Sequence, residues 1–265
     1  MYDFSYHRPT SVSEAVTLLK RGDEVRPLSG GMTLLPTLKQ RLAQPSDLVD
    51  LSRIPELQGV TEVAGGLRIG AFTRHVDVAT SSVVARVIPA LATLAGGIGD
   101  RQVRNRGTIG GSVSNADPSA DYPAAVVGLK ATVHTDRRDI AGEEFFVGMF
   151  ETALEADELL TGVTFQAPDK AGYAKFANQA SRYATVGVMV ARYGSEVRVG
   201  VTGAGPSAFR SQDLEAALTA NFSEAAIDGV TIDADTLNSD LHASAEYRAH
   251  LVKVMAKRAV AAALG

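Results

Sequence analysis

The sequence predicts an α+β protein in two parts, and three observations carry that prediction. Short strand-like runs alternate with amphipathic helical stretches up to about residue 168. The segment Pro168-Asp169-Lys170-Ala171-Gly172 interrupts the alternation with turn-forming residues. Beyond it, three consecutive strand-like runs come first and helices follow. The expected division is 1–168, with lobes of about 1–57 and 58–168, and then 169–265.

Ser11 and Glu14 stand at capping-box spacing, so a helix is expected to start there, with Val12, Ala15, Val16 and Leu19 on its apolar face. Val25–Ser29 reads as a strand broken by Gly30-Gly31, and a helix over Thr33–Leu42 follows, with Thr33 as its cap. Pro36 falls in the first turn of that helix, where a missing N–H costs little. Asp47–Leu51 is the next strand, and the alternation implies a parallel sheet.

Val60–Val63 and Leu67–Ala71 flank Ala64-Gly65-Gly66 as a hairpin. Thr73 is expected to cap a short helix, and a longer one is expected from Val84 to Leu94, stopping at Gly96-Gly97. Asp121 is expected to cap a helix over Tyr122–Leu129, with strands at Ala131–Thr135 and Gly162–Phe165. In the second part, Tyr173–Gln179, Val186–Tyr193 and Glu196–Thr202 read as strands, the last two joined by a tight turn at Gly194-Ser195. Helices follow over Ser211–Ala220, around Glu224–Ile227 and over Ala243–Leu264.

Composition excludes several classes. The 265 residues are 45% hydrophobic, enough for one large or two modest cores. A net charge of −4 with scattered Lys and Arg leaves no basic footprint for nucleic acid. With no cysteine, the chain can hold neither disulfides nor an iron–sulfur cluster of its own, and a reducing cytoplasm is the expected compartment. The longest apolar stretches, Ala124–Leu129 and Ala259–Leu264, are far too short to span a membrane, and the N-terminus lacks signal-peptide character. The five histidines show no metal-pair spacing, and no serine lies in G-x-S-x-G. Glu143 and Glu144 read either as an acid/base pair or as a solvated cap.

Two glycine runs carry the chemistry. In Ser29-Gly30-Gly31-Met32-Thr33, adjacent glycines between strand and helix leave N–H groups bare, which suits a phosphate or pyrophosphate, with Thr33 able to add a hydroxyl donor. An ordinary tight turn is the competing reading. The run matches neither G-x-G-x-x-G nor a Walker loop. In the second run, Gly107, Gly110 and Gly111 surround Thr108 and Ile109, and Asn115, Asp117, Ser119 and Asp121 follow. Such a loop is suited to hydrogen-bond a ribose or polyol while Ile109 packs on a flat ring; a plain surface loop is the alternative.

These two runs, with Ala116-Asp117-Pro118-Ser119-Ala120-Asp121, Glu144-Phe145-Phe146, Asp157-Glu158-Leu159-Leu160 and Ala243-Ser244-Ala245-Glu246-Tyr247-Arg248, resemble in order the FAD-binding (medium) subunits of molybdenum hydroxylases, the aerobic carbon monoxide dehydrogenase and xanthine dehydrogenase type. The resemblance implies a two-lobed vanillyl-alcohol-oxidase (PCMH)-type FAD-binding domain. A small C-terminal domain with a three-stranded antiparallel sheet and helices completes the fold. It implies that Ser29, Gly30, Gly31, Met32 and Thr33, with Thr108, Ile109, Gly110 and Gly111, embrace the pyrophosphate and flavin. By the same resemblance Asp121 binds a hydroxyl-bearing part of FAD, Leu160 lies against the cofactor and Tyr183 stands beside the isoalloxazine. It further implies partner subunits, a small one with two 2Fe–2S clusters and a large one with the molybdenum cofactor, in a heterotrimer or its dimer. No catalytic side chain and no metal ligand is expected in this chain.

Two residues depart from the family pattern. Met32 stands where relatives often carry His or Gln, and Arg182 where many carry Asp. Besides an electron-transfer subunit, a stand-alone FAD-dependent oxidoreductase acting on a small molecule stays open, as does a scaffold that has lost its cofactor.

Overall fold

The computed structural model describes every residue except Asp23. Strand β1 (Ser5–His7), helix α1 (Val12–Leu19), β2 (Val25–Leu28), α2 (Leu34–Lys39) and β3 (Asp47–Asp50) form the first lobe. Its three strands run parallel in the order β1-β3-β2, as the alternation predicted, although β1 lies in a stretch with no strand signal. Ser11 caps α1 by accepting the Glu14 N–H at 3.2 Å, but the Glu14 carboxylate reaches the N–H of Thr10 at 2.9 Å rather than that of Ser11.

The second lobe is built on a five-stranded antiparallel sheet. Its strands are β4 (Val60–Val63), β5 (Gly66–Gly70), β6 (Thr132–Thr135), β7 (Asp139–Ala141) and β10 (Leu160–Gln166), in the order β4-β5-β10-β6-β7. A two-stranded hairpin, β8 (Phe146–Gly148) with β9 (Glu151–Thr152), stands apart from it. Between β5 and β6 come α3 (His75–Ala79), α4 (Ser82–Val87), α5 (Pro89–Gly96), α6 (Arg101–Arg106), α7 (Ile109–Asn115) and α8 (Tyr122–Gly128), and α9 (Gly142–Phe145) follows β7. The single helix expected over Val84–Leu94 is therefore two. Pro89 has no N–H to donate to a preceding turn, so it ends α4 and opens α5 at N1. Thr73 caps nothing: its hydroxyl donates to the Gly59 carbonyl at 3.0 Å and accepts the Gly59 N–H at 2.9 Å, tying the β3–β4 connection to the end of β5.

The third layer contains β11 (Lys170–Ala177), β12 (Ala184–Tyr193), β13 (Glu196–Thr202) and β14 (Phe209–Arg210) in antiparallel order, followed by α10 (Gln212–Ala220) and α11 (Ala245–Leu264). The sheet has four strands rather than the expected three, because Phe209–Arg210 pairs with Val201 and Gly200 over two residues, too short to leave a pattern in sequence. Strand β12 is buried on both faces. Val186, Val188 and Val190 join the core under α10 and α11, whereas Met189 and Ala191 point into the core shared with the second lobe. Close approach fixes this stacking. A Cβ on Gly200 would lie 2.2 Å from the Ala124 carbonyl of α8, and one on Gly172 would lie 2.0 Å from the Ala259 carbonyl of α11. Helix α8 is thus clamped between the second lobe and the C-terminal sheet, and the turn after β11 lines one cavity with the two glycine runs.

Candidate functional site

The first glycine run leaves β2 at Leu28 and enters α2 with Thr33 at the cap position. Gly31 sits at φ +74°, a left-handed conformation that a Cβ would strain. Leu35 N–H donates to the Gly31 carbonyl at 3.1 Å and closes the turn. Among the described residues, the N–H groups of Gly31, Met32 and Thr33 find no acceptor, so three adjacent donors are free in residues that line one cavity. The Thr33 hydroxyl makes no cap bond, and α2 is only six residues long. The donors, rather than a helix dipole, are what this loop offers an anion.

The second run is laced onto β5 and the segment after it. Ile109 N–H donates to the Thr73 carbonyl at 3.0 Å, Gly110 N–H to the Ala71 carbonyl at 2.8 Å, and His75 N–H to the Gly107 carbonyl at 2.9 Å. Thr108 caps α7, its Oγ1 accepting the Gly111 N–H at 3.1 Å. The same oxygen lies 2.7 Å from Ser29 Oγ, so the two runs are joined directly.

The glycines divide by role. A Cβ on Gly30 would stand 2.1 Å from the Arg106 carbonyl, and one on Gly110 would stand 2.6 Å from both the Cβ and the carbonyl of Ala71. At these two glycines the space a side chain would fill is taken by protein backbone. Gly31 supplies the positive φ. A Cβ on Gly111 would meet only the Thr108 hydroxyl at 2.9 Å and Ser29 Cβ at 3.7 Å, and this residue lines the opening.

One cavity of about 550 Å³ gathers the residues singled out in the sequence. Ser29, Gly30, Gly31, Met32 and Thr33 line it from the first run, and Thr108, Gly110 and Gly111 from the second. Asp121, Leu160 and Tyr183 complete the set. Ile109 does not line it. It is fully buried in the hydrophobic core, where the Thr73 carbonyl accepts its own N–H and the Ala71 carbonyl that of Gly110. A second cleft, of about 810 Å³, is lined by Tyr6, Arg8, Asp50, Phe72, Arg74 and Arg106, and shares only Ser29 and Gly30 with the predicted set.

Asp121 heads α8 but makes no cap bond. Its carboxylate instead accepts the Tyr173 hydroxyl at 2.6 Å and the Lys175 ammonium at 2.9 Å. Burial pushes its carboxyl above the ordinary range, and Lys175 and Tyr173 pull against that shift. Tyr173 is pushed up by burial and by the Asp121 charge. The turn Asn178–Arg182 is closed by Arg182 N–H donating to the Asn178 carbonyl at 2.9 Å, and Arg182 itself sits at φ +64°. That turn delivers Arg182 and Tyr183 to the cavity, Tyr183 with 42% of its surface still exposed.

Sequence reasoning assigned no role to four contributors. His75 lines the cavity, with its Nδ1 buried and unpartnered, and burial followed by the Arg104 charge lowers its pKa to about 4. Glu158, at the far wall, is held by Arg138 at 2.8 Å, which with the Glu155 N–H lowers its pKa to about 2. Lys175 and Tyr173 share a strand face by their spacing of two, the one signal available for them in sequence. Glu143 is no acid/base partner: its carboxylate receives Arg198 at 2.9 Å and Arg210 at 2.6 Å across the lobe boundary. Among the described residues no cluster of His, Asp and Glu has the makings of a metal site, and no helix is long and apolar enough to cross a membrane.

A cavity of this volume, lined by two glycine runs, unspent N–H donors and a tyrosine, has the makings of a binding site for an extended, phosphorylated ligand. Residues 2–167 match the FAD binding domain in molybdopterin dehydrogenase, and residues 171–263 match the CO dehydrogenase flavoprotein C-terminal domain. The chain belongs to this family of FAD-binding oxidoreductase subunits, and its cofactor is FAD. The carbon monoxide dehydrogenase medium chain of Hydrogenophaga pseudoflava is 36% identical over 98% of this chain and 96% of its own. The nicotine 6-hydroxylase medium subunit of Paenarthrobacter nicotinovorans is 34% identical over 96% and 95%. In solved structures, reconstituted CO dehydrogenase from Oligotropha carboxidovorans superposes with a TM-score of 0.90 at 32% identity, covering 99% of this chain and 98% of that one.

Proposed function

We propose that this chain is the electron-transfer flavoprotein subunit of a molybdenum hydroxylase complex, and that it selects no substrate itself. The observation that carries the proposal is the junction of the two glycine runs at Ser29 and Thr108, on the wall of the cavity that Asp121, Leu160 and Tyr183 also line. The free N–H groups of Gly31, Met32 and Thr33 hold the pyrophosphate, beside Ser29 and the side-chain-free surface of Gly111. Asp121 accepts a hydroxyl of the cofactor, Leu160 packs along it, and Tyr183 covers the ring. Bound FAD supplies the redox chemistry, taking electrons from 2Fe–2S clusters of a small partner subunit and yielding them to an external acceptor. The protein's own part is to bind, orient and tune that group.

Two relatives of nearly the same length carry names with different substrates, carbon monoxide and nicotine. That difference supports a substrate site in another chain, the molybdenum-bearing large subunit, within a heterotrimer or its dimer. The two-part division at about residue 168 and a cytoplasmic location belong to the same proposal; a chain without cysteine suits a reducing compartment.

Expression with its genomic neighbours tests the reading. The expected result is a yellow complex containing molybdenum, iron and acid-labile sulfide, with FAD bleached on addition of the complex's substrate. A yellow single chain that turns over a small molecule unaided would replace this reading with that of a stand-alone flavoenzyme.

A further inference from the structure

The Lys175 ammonium has three N–H donors and meets three acceptors from three separate stretches of chain. It donates to the Gly97 carbonyl at 2.8 Å, to the Asp121 carboxylate at 2.9 Å and to the Arg182 carbonyl at 3.0 Å. Each acceptor belongs to or adjoins a cavity wall. Gly97 precedes Ile98 and Gly99, Asp121 lines the cavity itself, and Arg182 leads directly to Tyr183. The lysine side chain is only 12% exposed, and Asp121 is 4% exposed. Tyr173, two residues earlier on β11, donates to the same carboxylate and packs where Gly187 leaves room: a Cβ there would stand 2.5 Å from the phenol oxygen. No donor of Lys175 is left for a ligand, so its effect on the cavity must pass through the groups it holds.

We infer that Lys175 is a positioning residue for the cofactor site. Its ammonium pins the C-terminal turn carrying Arg182 and Tyr183 against the walls formed by Gly97–Gly99 and Asp121. Cofactor binding and docking of the C-terminal sheet are thereby linked. The inference rests on FAD being the occupant of the cavity. Linkage is reciprocal: if docking of this turn strengthens FAD binding, FAD strengthens the docking by the same factor.

The test titrates the full-length apo chain with FAD, following flavin fluorescence, its quenching by iodide and the melting temperature of the apo form. Lys175→Met keeps the length of the side chain and removes the three bonds. The expected result is FAD affinity weakened at least ten-fold and bound flavin more open to iodide, because the turn no longer holds Tyr183 in place. Wild-type affinity and quenching in this variant, whatever happens to its melting temperature, would overturn the inference and leave FAD binding intact. A wild-type chain that takes up no FAD would remove the cofactor assignment and this inference together. If Lys175→Met fails to fold because Asp121 is left buried without a counter-ion, Lys175→Met/Asp121→Asn is compared with Asp121→Asn alone. Weaker FAD binding in the double variant supports the pinning role, and equal binding overturns it.

Discussion

Ser29 and Thr108 stand 79 positions apart in sequence, and their hydroxyl oxygens lie 2.7 Å apart. The bond joins the end of a parallel strand in one lobe to the cap of a helix in the next. The two glycine runs are therefore one structure before any cofactor arrives. The Gly30 backbone rests on the Arg106 carbonyl at the same place, where only a hydrogen fits. A cofactor entering this cavity meets a preorganised floor rather than two loops that must first be brought together.

Removing either hydroxyl loosens that floor by a calculable amount. Ser29→Ala loses one neutral hydrogen bond, about 0.5–1.5 kcal/mol. Thr108→Ala loses the same bond and also the cap on the Gly111 N–H, for about 1–3 kcal/mol in all. Urea denaturation of the two single variants and the double variant should give a coupling energy of about 1 kcal/mol. Strict additivity would show that the hydroxyl pair contributes nothing.

The glycines are expected to separate folding from binding. Gly30→Ala and Gly110→Ala push a methyl into the Arg106 and Ala71 backbones and should lower apo-chain stability by about 1–3 kcal/mol or more. Gly31→Ala meets backbone strain of about 1–2 kcal/mol at φ +74°. Melting curves of the apo variants check this. Unchanged melting in Gly30→Ala would mean that the loops stand further apart than described.

Arg182 occupies a left-handed position that Asp adopts more readily than Arg, so Arg182→Asp should fold normally. Arg182 is among the residues lining the cavity, and a cation near the ring would favour the reduced, anionic flavin. Charge reversal should lower the two-electron midpoint potential by about 20–40 mV, equivalent to about 1–2 kcal/mol. Dye-linked redox titration reads this shift; an unchanged potential would place the guanidinium away from the ring.

Acid sensitivity should come in two windows. The folded His75 pKa of about 4 lies below its unfolded value of 6.5, so the unfolded chain binds more protons between them. The stability of the apo chain is then greatest above pH 6.5 and falls by about 2–3 kcal/mol as pH drops toward 4. Glu158, depressed from 4.5 to about 2, contributes stability above pH 4.5 that is lost as pH falls toward 2. Solvent on the Arg138 side limits that contribution to about 1–2 kcal/mol. His75→Leu should flatten the first window and Glu158→Gln the second, each measured by denaturation across pH. Slopes identical to wild type in both variants would contradict these assignments.

Local signals served the sequence well where the structure is local. The hairpin at Ala64-Gly65-Gly66, the turn at Gly194-Ser195 and the long C-terminal helix follow from residues in contact along the chain. The site was legible because its two glycine runs are contiguous motifs. What escaped was set by distant partners. Asp121 looks like a helix cap, but Tyr173 and Lys175, more than fifty positions on, take its carboxylate. Ile109 looks like a platform for a ring, but it is fully buried in the hydrophobic core, where the Thr73 carbonyl accepts its N–H. Gly30 and Gly110 look like openings for a ligand, but their neighbours are backbone from elsewhere in the chain. The polar α6, Arg101–Arg106, carries no apolar stripe to announce it.

Equilibrium titration of the apo chain with FAD, wild type beside Gly111→Val, tests the central claim most directly. Gly111 lines the cavity, and a side chain there meets the Thr108 hydroxyl and Ser29 rather than packed backbone. One FAD per wild-type chain is the expected stoichiometry, with affinity weakened about ten-fold or more in Gly111→Val, read at a temperature where both apo chains remain folded. Wild-type affinity in Gly111→Val, or no saturable FAD binding in either chain, would contradict a cofactor held between the two glycine runs.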